Sequence, residues 1–168
     1  MHMICLENFE CEDFDTLISW VDSPETLMQF AGPSFSFPLT AEQLETSLQD
    51  LNRHAFKAVD VERKKMMGYG EIYFKLKTAF LGRIIIGEQN MRGRGLGLVL
   101  VQQLTHYAYR LNPQQIELNV FDWNIAAIKC YQKAGFVFDP DKRLQRKANG
   151  KSWTVLNMVL QKDATNHL

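Results

Sequence analysis

Cysteine is scarce: Cys5, Cys11 and Cys130 are an odd number with no C-x-x-C spacing. That excludes a disulfide framework and a zinc ribbon, and it fits a reducing compartment, so a cytoplasmic location is expected. The histidines, His2, His54, His106 and His167, are scattered, and no Asp/Glu/His group has metal-ligand spacing. No metal is expected. Neither sign of charge is in excess: Lys plus Arg is 19 and Asp plus Glu is 19. A net charge of zero argues against strong nucleic-acid binding or broad attraction to anionic lipid. Apolar runs such as Phe80-Leu81 and Ile84–Ile86 are far too short to span a bilayer. The start, Met1-His2-Met3-Ile4, has no basic region leading into an apolar one, so no secretory leader is expected. Repeats, low-complexity stretches and interdomain linkers are also missing. What remains is ordinary globular sequence: 168 residues, 46% apolar and 23% charged, expected to form one domain over residues 1–168.

Local patterns give an α/β chain. Met3–Phe9 reads as a strand, Glu12–Val21 as helical, and Pro24 restarts a short helix to about Phe30. Thr40-Ala41-Glu42-Gln43 is a capping box opening a helix to about Leu51, with Leu44, Leu48 and Leu51 on one face. Strands follow at Ala55–Asp60, at Met66–Lys75, where Gly68 and Gly70 weaken the pattern, and at Phe80–Glu88. The Ile84–Ile86 run suits a strand covered on both faces. Leu96, Val99, Leu100, Gln103, Leu104, Tyr107, Ala108 and Leu111 recur at helical spacing, stopped by Asn112-Pro113. Ile116, Leu118 and Val120 alternate in the next strand, and Asn124 caps a helix that ends at Gly135. Strands near Phe136–Arg146 and Lys151–Gln161 join at Asn149-Gly150, a hairpin signal.

The most informative stretch runs from Ile84 to Gly97. A buried strand leads into glycines that open a long helix. The first turn of a helix leaves its N–H groups unpaired and carries positive dipole charge. Glycines let phosphates approach the backbone, and Arg92 and Arg94 add cationic charge. This is a pyrophosphate site in outline. The kinase-type P-loop is excluded, because no Lys-Ser or Lys-Thr follows the glycines. Gly93, Gly95 and Gly97 are spaced G-x-G-x-G, not the dinucleotide G-x-G-x-x-G, and only one strand–helix–strand unit is present.

Arg92-Gly93-Arg94-Gly95-Leu96-Gly97 resembles the R/Q-x-x-G-x-G/A signature of the GNAT superfamily of N-acetyltransferases. The stretch from Leu118 to Phe136 resembles the second motif of that family. In it Asn124 opens a helix, Tyr131 follows seven residues later, and Gly135-Phe136 closes it. The clear resemblance covers about residues 80–138. Trp20, Ser23-Pro24-Glu25 and Phe37-Pro38-Leu39-Thr40 more loosely resemble the branch holding ribosomal-protein N-terminal and small-molecule amine acetyltransferases. The resemblance implies a mixed, centrally splayed β-sheet with helices on both faces. It implies acetyl-CoA as cosubstrate and a primary amine as acceptor, either a protein N-terminus or a small molecule. The amine would attack the thioester directly in a ternary complex.

By the same resemblance the backbone of Ile85, Ile86 and Gly87 lies along the pantetheine arm. Backbone N–H groups from Gly93 through Arg94, Gly95, Leu96 and Gly97 to Leu98 hold the pyrophosphate, with Arg92 beside them. Asn124 would bond the cofactor arm, against the plain alternative of a helix cap. Tyr131 would protonate the departing thiolate, against the alternative of a packed aromatic. A protonated alkyl amine is not a nucleophile, so a base must take its proton. Relatives carry a Glu five residues before the motif Asn, where this chain has Asn119. Glu117, two residues earlier on the same strand face, and Glu71 are the remaining candidates, with Glu88 and Asp122 weaker. Asn119 also keeps open a second reading, a non-catalytic acyl-CoA-binding module of the same fold. A third, a nucleotide-binding regulatory domain, lacks its fingerprint. Lys142, Arg143, Arg146, Lys147 and Lys151 form a basic run read as a solvated face. An edge strand or the terminal hairpin offers a surface for a homodimer.

Overall fold

The computed structural model describes residues 3–148 and 150–161. His2, His167 and the Asn149 half of the expected hairpin turn lie outside the described residues; Gly150, with φ 74°, takes the left-handed conformation such a turn needs.

Seven strands form one sheet: β1 (Ile4–Asn8), β2 (Arg53–Asp60), β3 (Met66–Lys75), β4 (Thr78–Ile86), β5 (Gln115–Phe121), β6 (Phe136–Ala148) and β7 (Lys151–Leu160). Their order is β1-β2-β3-β4-β5-β7-β6. Every neighbouring pair is antiparallel except β4 and β5. The helices are α1 (Phe14–Trp20), α2 (Pro24–Ala31), α3 (Ala41–Leu48), α4 (Leu96–Tyr109) and α5 (Ile125–Lys133).

The sheet is covered on both faces. Leu96, Leu100, Val101, Leu104 and Ala108 of α4 and Ile128 of α5 pack with Ile72, Leu81, Ile116, Leu118 and Met158 on one face. Phe14 and Leu17 of α1, Leu27 and Phe30 of α2 and Leu44 of α3 pack with Tyr69 and Ile85 on the other. The Ile84–Ile86 run divides accordingly, Ile85 joining the second cluster while Ile84 and Ile86 pack against the first. Gly68 and Gly70 do not interrupt β3. They admit α4: a Cβ at Gly70 would lie 2.6 Å from Leu104 Cδ1, and one at Gly68 3.3 Å from Leu100 Cδ2. Close helix–sheet contact is thus the reason for two glycines in a strand.

Several boundaries move. A single turn of 3-10 helix, Cys11–Asp13, precedes α1. The third helix stops at Leu48, and Leu51 is 93% exposed, so it does not share the face of Leu44. Thr40 does cap that helix, its Oγ1 accepting from Gln43 N–H, but the box is half made. Gln43 instead spans the preceding loop, accepting from Ser36 N–H and donating to the carbonyls of Ser36 and Pro38.

The feature that positions the site is the parting of β4 and β5. They pair only from Thr78↔Gln115 to Leu81↔Leu118. Just beyond, β4 bulges. Tyr69 pairs with Ile85 and Glu71 with Gly82, so Arg83 and Ile84 together face Gly70, and Arg83 takes φ 48°. An extra residue bends a strand and increases its twist. The bulge carries β4 away from β5, which continues beside β7 alone to Phe121. This is the central splay expected from the family resemblance.

Candidate active site

A cleft of about 1440 Å³ opens where the strands part. Its walls include Ile84, Ile85 and Ile86 of β4, the glycine loop and Leu98, Asn124 and Tyr131 of the α5 segment, and both candidate carboxylates.

The loop is built for exposed backbone donors. Gly93 and Gly95 have φ 75° and 82°, conformations that side chains disfavour, while a Cβ at either would meet nothing within 4 Å. Their role is conformational, not steric. The first backbone hydrogen bond of α4 runs from Val99 N–H to Gly95 O (3.2 Å). The N–H groups of Leu96, Gly97 and Leu98 therefore have no acceptor within the helix. Arg92 lines the cleft, and its Nε donates to Ile86 O (3.1 Å), tying the loop to the end of β4. Gly97 sits beside Cys130, the Sγ of which would be 3.7 Å from an added Cβ.

Three residues of the expected cofactor set lie off the cleft wall. Leu96 is 4% exposed and points into the core. Arg94 is exposed. Gly87 is buried beneath Trp20, and a Cβ there would lie 2.0 Å from Trp20 Cε2. Its N–H donates to Met67 O (2.9 Å).

Asn124 caps α5, its Oδ1 accepting from Ala127 N–H (3.3 Å), so the plain role is real; Asn124 also lines the cleft. Tyr131 lies half-buried on the cleft wall, with its ring edge-to-face on Phe136 at 6.4 Å. Burial, with a smaller contribution from neighbouring Cys130, pushes its phenol well above the ordinary tyrosine range. At neutral pH it is a proton donor.

Glu71 and Glu117 are 1% and 2% exposed. Glu71 is on β3 opposite Gly82, and Glu117 is on β5 opposite Phe80. Ile72, Leu81, Ile116 and Leu118 face α4, so both carboxylates project from the opposite face, with β4 between them. Gly82, opposite Glu71, carries no side chain, while Phe80, opposite Glu117, lines the same face. Glu71 is fully engaged: Oε1 accepts from Tyr69 Oη and from Arg83 Nη1 (3.1 Å), and Oε2 accepts from Arg53 Nη1. Arg83 also reaches Ser47 Oγ (2.8 Å) and stacks over Phe35 at 4.2 Å. Burial first, then the Glu71 charge, pushes the Tyr69 phenol well up, keeping it a donor. Glu117 accepts from Lys142 Nζ (2.7 Å) on Oε1 and from Asn157 Nδ2 (3.1 Å) on Oε2. The same Nδ2 reaches Asn119 Oδ1 (3.2 Å), so Glu117 and Asn119 share a face and a partner. The weaker carboxylates lie elsewhere: Glu88 pairs with Lys65, and Asp122 is exposed.

Arg53, Arg83, Lys142 and Asn157 all line the cleft, and the sequence patterns give none of them a place in the site; Lys142 reads there as part of a solvated basic run. Of the other three, Asn157 left a signal, a polar residue inside the apolar strand Val155-Leu156-Asn157-Met158-Val159. Among the described residues, no three His, Cys, Asp or Glu side chains are grouped to hold a metal. No helix there is long and apolar enough to cross a membrane.

The sequence profile of the acetyltransferase (GNAT) family matches residues 24–136, most of the chain and both motifs of the cleft. The chain belongs to the GNAT acetyltransferase family. Solved structures share its fold over 95% or more of the chain. A spermidine N-acetyltransferase from Vibrio cholerae, in complex with CoA and spermine, is 22% identical over 95% of this chain and 96% of its own, with a TM-score of 0.77. The aminoglycoside enzyme AAC(6')-Ib, in complex with paromomycin and acetyl-CoA, is 17% identical over 98% and 96%, also with a TM-score of 0.77. A domain from Methanocaldococcus jannaschii is 18% identical over 95% and 100%, with a TM-score of 0.72. This GNAT acetyltransferase thus shares its overall fold with these structures.

Proposed function

We propose that this protein, a single catalytic domain, transfers the acetyl group of acetyl-CoA to a primary amine, a protein N-terminus or a small-molecule amine, by direct attack in a ternary complex. The observation that carries the reading is that one cleft joins unpaired helix N–H groups at one end to two buried carboxylates at the other. The structural relatives were solved with CoA and spermine, and with acetyl-CoA and an aminoglycoside, which are amine acceptors with the same cosubstrate.

The pyrophosphate is held by the N–H groups from Gly93 to Leu98, with Arg92 and Arg94 supplying charge. The edge of β4 freed by the splay, at Ile85 and Ile86, offers backbone groups to the pantetheine arm, and Asn124 faces that arm from the start of α5. Gly87 supports this by letting Trp20 close over the strand end. Glu117 is the better base. Its one cationic partner among the described residues, Lys142, is 46% exposed and can swing into water. Glu71 is held by two guanidinium groups and a phenol, all of which a proton transfer would disturb. Glu117 takes one proton from the ammonium, and attack by the freed amine forms the C–N bond as the C–S bond breaks. Tyr131 donates a proton to the sulfur, and the surplus proton lost from the amide nitrogen restores the phenol.

The soluble-protein expectation of a cytoplasmic location is part of this proposal; the described cysteines are all free. So is a homodimer, for which β6, at the sheet edge with exposed Val137 and Phe138, is the surface to test by light scattering. The test of function is a screen of primary amines with acetyl-CoA, reading release of free thiol. Amine-dependent release supports the proposal. Bound acetyl-CoA with no release for any amine overturns it.

A further inference from the structure

Two residues at the carboxylate end of the cleft have a buried polar atom without a partner among the described residues, Arg53 at Nε beside Glu71 and Asn157 beside Glu117, and the second is an acceptor. Asn157 on β7 is 4% exposed, and its Nδ2 donates to both Glu117 Oε2 and Asn119 Oδ1. Both of those atoms only accept, so the reverse amide orientation would set oxygen against oxygen. The orientation leaves Asn157 Oδ1 buried with no partner among the described residues. Buried acceptors are normally satisfied, and an exception calls for an explanation.

The neighbourhood is rich in acceptors: the Glu117 carboxylate, the Asn119 amide oxygen and the Asn157 amide oxygen, all from residues lining the cleft. Such a set suits a cation with several donors. A primary alkylammonium has three N–H donors and one charge. One is already there. Lys142 Nζ lies 2.7 Å from Glu117 Oε1 and 3.7 Å from Asp139 Oδ2. The two partners differ in kind. The Glu117 side chain is 3% exposed and belongs to the sheet, whereas the Lys142 side chain is 46% exposed. Lys142 also lies in the stretch between Asp139 and Leu144, where the β6–β7 register breaks, so no ladder fixes it.

We infer that Glu117, Asn119 and Asn157 form the seat of the acceptor ammonium group, and that Lys142 is an internal stand-in which the acceptor must displace. The inference rests on the amine-acetyltransferase reading above. Its ligand class is an unbranched primary alkylammonium, because the present occupant is a four-methylene chain ending in that group.

The probe is n-butylammonium, the Lys142 side chain without its backbone, titrated by ligand-observed NMR at pH 7 without acetyl-CoA. An ion pair closed in about 90% of molecules leaves about 10% competent to bind, which weakens apparent affinity about 10-fold. Lys142→Ala is therefore expected to bind n-butylammonium about 10-fold more tightly than the wild type. Uncharged n-butanol should show no such gain. Adding Glu117→Gln or Asn157→Leu to Lys142→Ala should abolish it, with melting curves confirming that each variant is folded. Equal affinity in wild type and Lys142→Ala overturns the inference, as does binding that survives Glu117→Gln. A lower melting temperature in Lys142→Ala with no gain in binding identifies the pair as a brace between β5 and β6, and also overturns it. The catalytic reading fails separately, in the acetyl-CoA thiol-release screen, which does not depend on Lys142.

Discussion

The indole of Trp20 occupies the space that a side chain at Gly87 would need, with Cε2 only 2.0 Å from the position of an added Cβ. The end of β4 is thereby locked to the helical layer around α1. Gly87→Ala must displace a rigid ring, whereas Gly70→Ala meets only Leu104 Cδ1, the far end of a flexible side chain, at 2.6 Å. Overpacking costs about 1–3 kcal/mol. Gly87→Ala is expected at or above the top of that range and Gly70→Ala near the bottom, as read from urea unfolding midpoints.

Gly95 separates charge from strain. It has φ 82° and open space around it, so Asp and Asn fit equally, and Asn tolerates this conformation nearly as well. An anion at a helix N-terminus favours the helix itself. Gly95→Asp is therefore expected to fold with little change in stability but to lose acetyl-CoA affinity at least ~10-fold relative to Gly95→Asn, by calorimetry. Equal affinities would remove the pyrophosphate from this loop.

The two carboxylates should part company on substitution. Glu71→Gln strands Arg53 and Arg83, 18% and 12% exposed, with less compensation. Removing one partner of a buried ion pair costs about 3–5 kcal/mol, and the low end is expected because Asp50 and Ser47 remain beside the arginines. Glu117→Gln frees an exposed lysine and should leave the melting temperature nearly unchanged. Its acetylation rate should fall by ~10²-fold or more, the usual contribution of a positioned base. Full activity in folded Glu117→Gln would assign the proton to bulk water.

Tyr131→Phe keeps the ring contact with Phe136 and removes the hydroxyl. Thermal stability and acetyl-CoA affinity should stay near wild type while kcat falls at least ~10-fold, about 1.4 kcal/mol of transition-state stabilisation. Single-turnover rates decide the matter if product release limits kcat. The pH dependence has a definite sign. The buried phenol titrates above its ordinary value of about 10. The acid form thus persists through that value, and no alkaline fall in rate due to Tyr131 should appear below pH ~10.

Much of the fold was legible because it is written in local spacing. Leu96 to Ala108 carries a helical period, Ile116-Leu118-Val120 an alternating one, and Asn124 and Gly135 bound a helix by cap and left-handed stop. The glycine loop was legible for the same reason: the conformations of Gly93 and Gly95 and the unpaired N–H groups after them are properties of consecutive residues. For Tyr131, spacing alone fits a packed aromatic equally well; it was the resemblance of the whole second motif that pointed to the cleft, and Tyr131 does line it.

Tertiary structure decided whatever depends on partners far along the chain. Leu51 continues a helical pattern, yet α3 ends before it and leaves it in water. Gly87 reads as a glycine for a ligand, but its neighbour is Trp20, from another layer. Glu71 and Glu117 are indistinguishable as letters. Arg53, Tyr69 and Arg83 converge on one, while Lys142 and Asn157 converge on the other. Helix period, strand alternation and glycine conformation are set by neighbours within a few residues, so sequence alone determined them. A carboxylate's freedom to take a proton depends on which cations the folded sheet brings against it, and only the assembly of β2, β3 and β4 around Glu71, and of β5, β6 and β7 around Glu117, decides that.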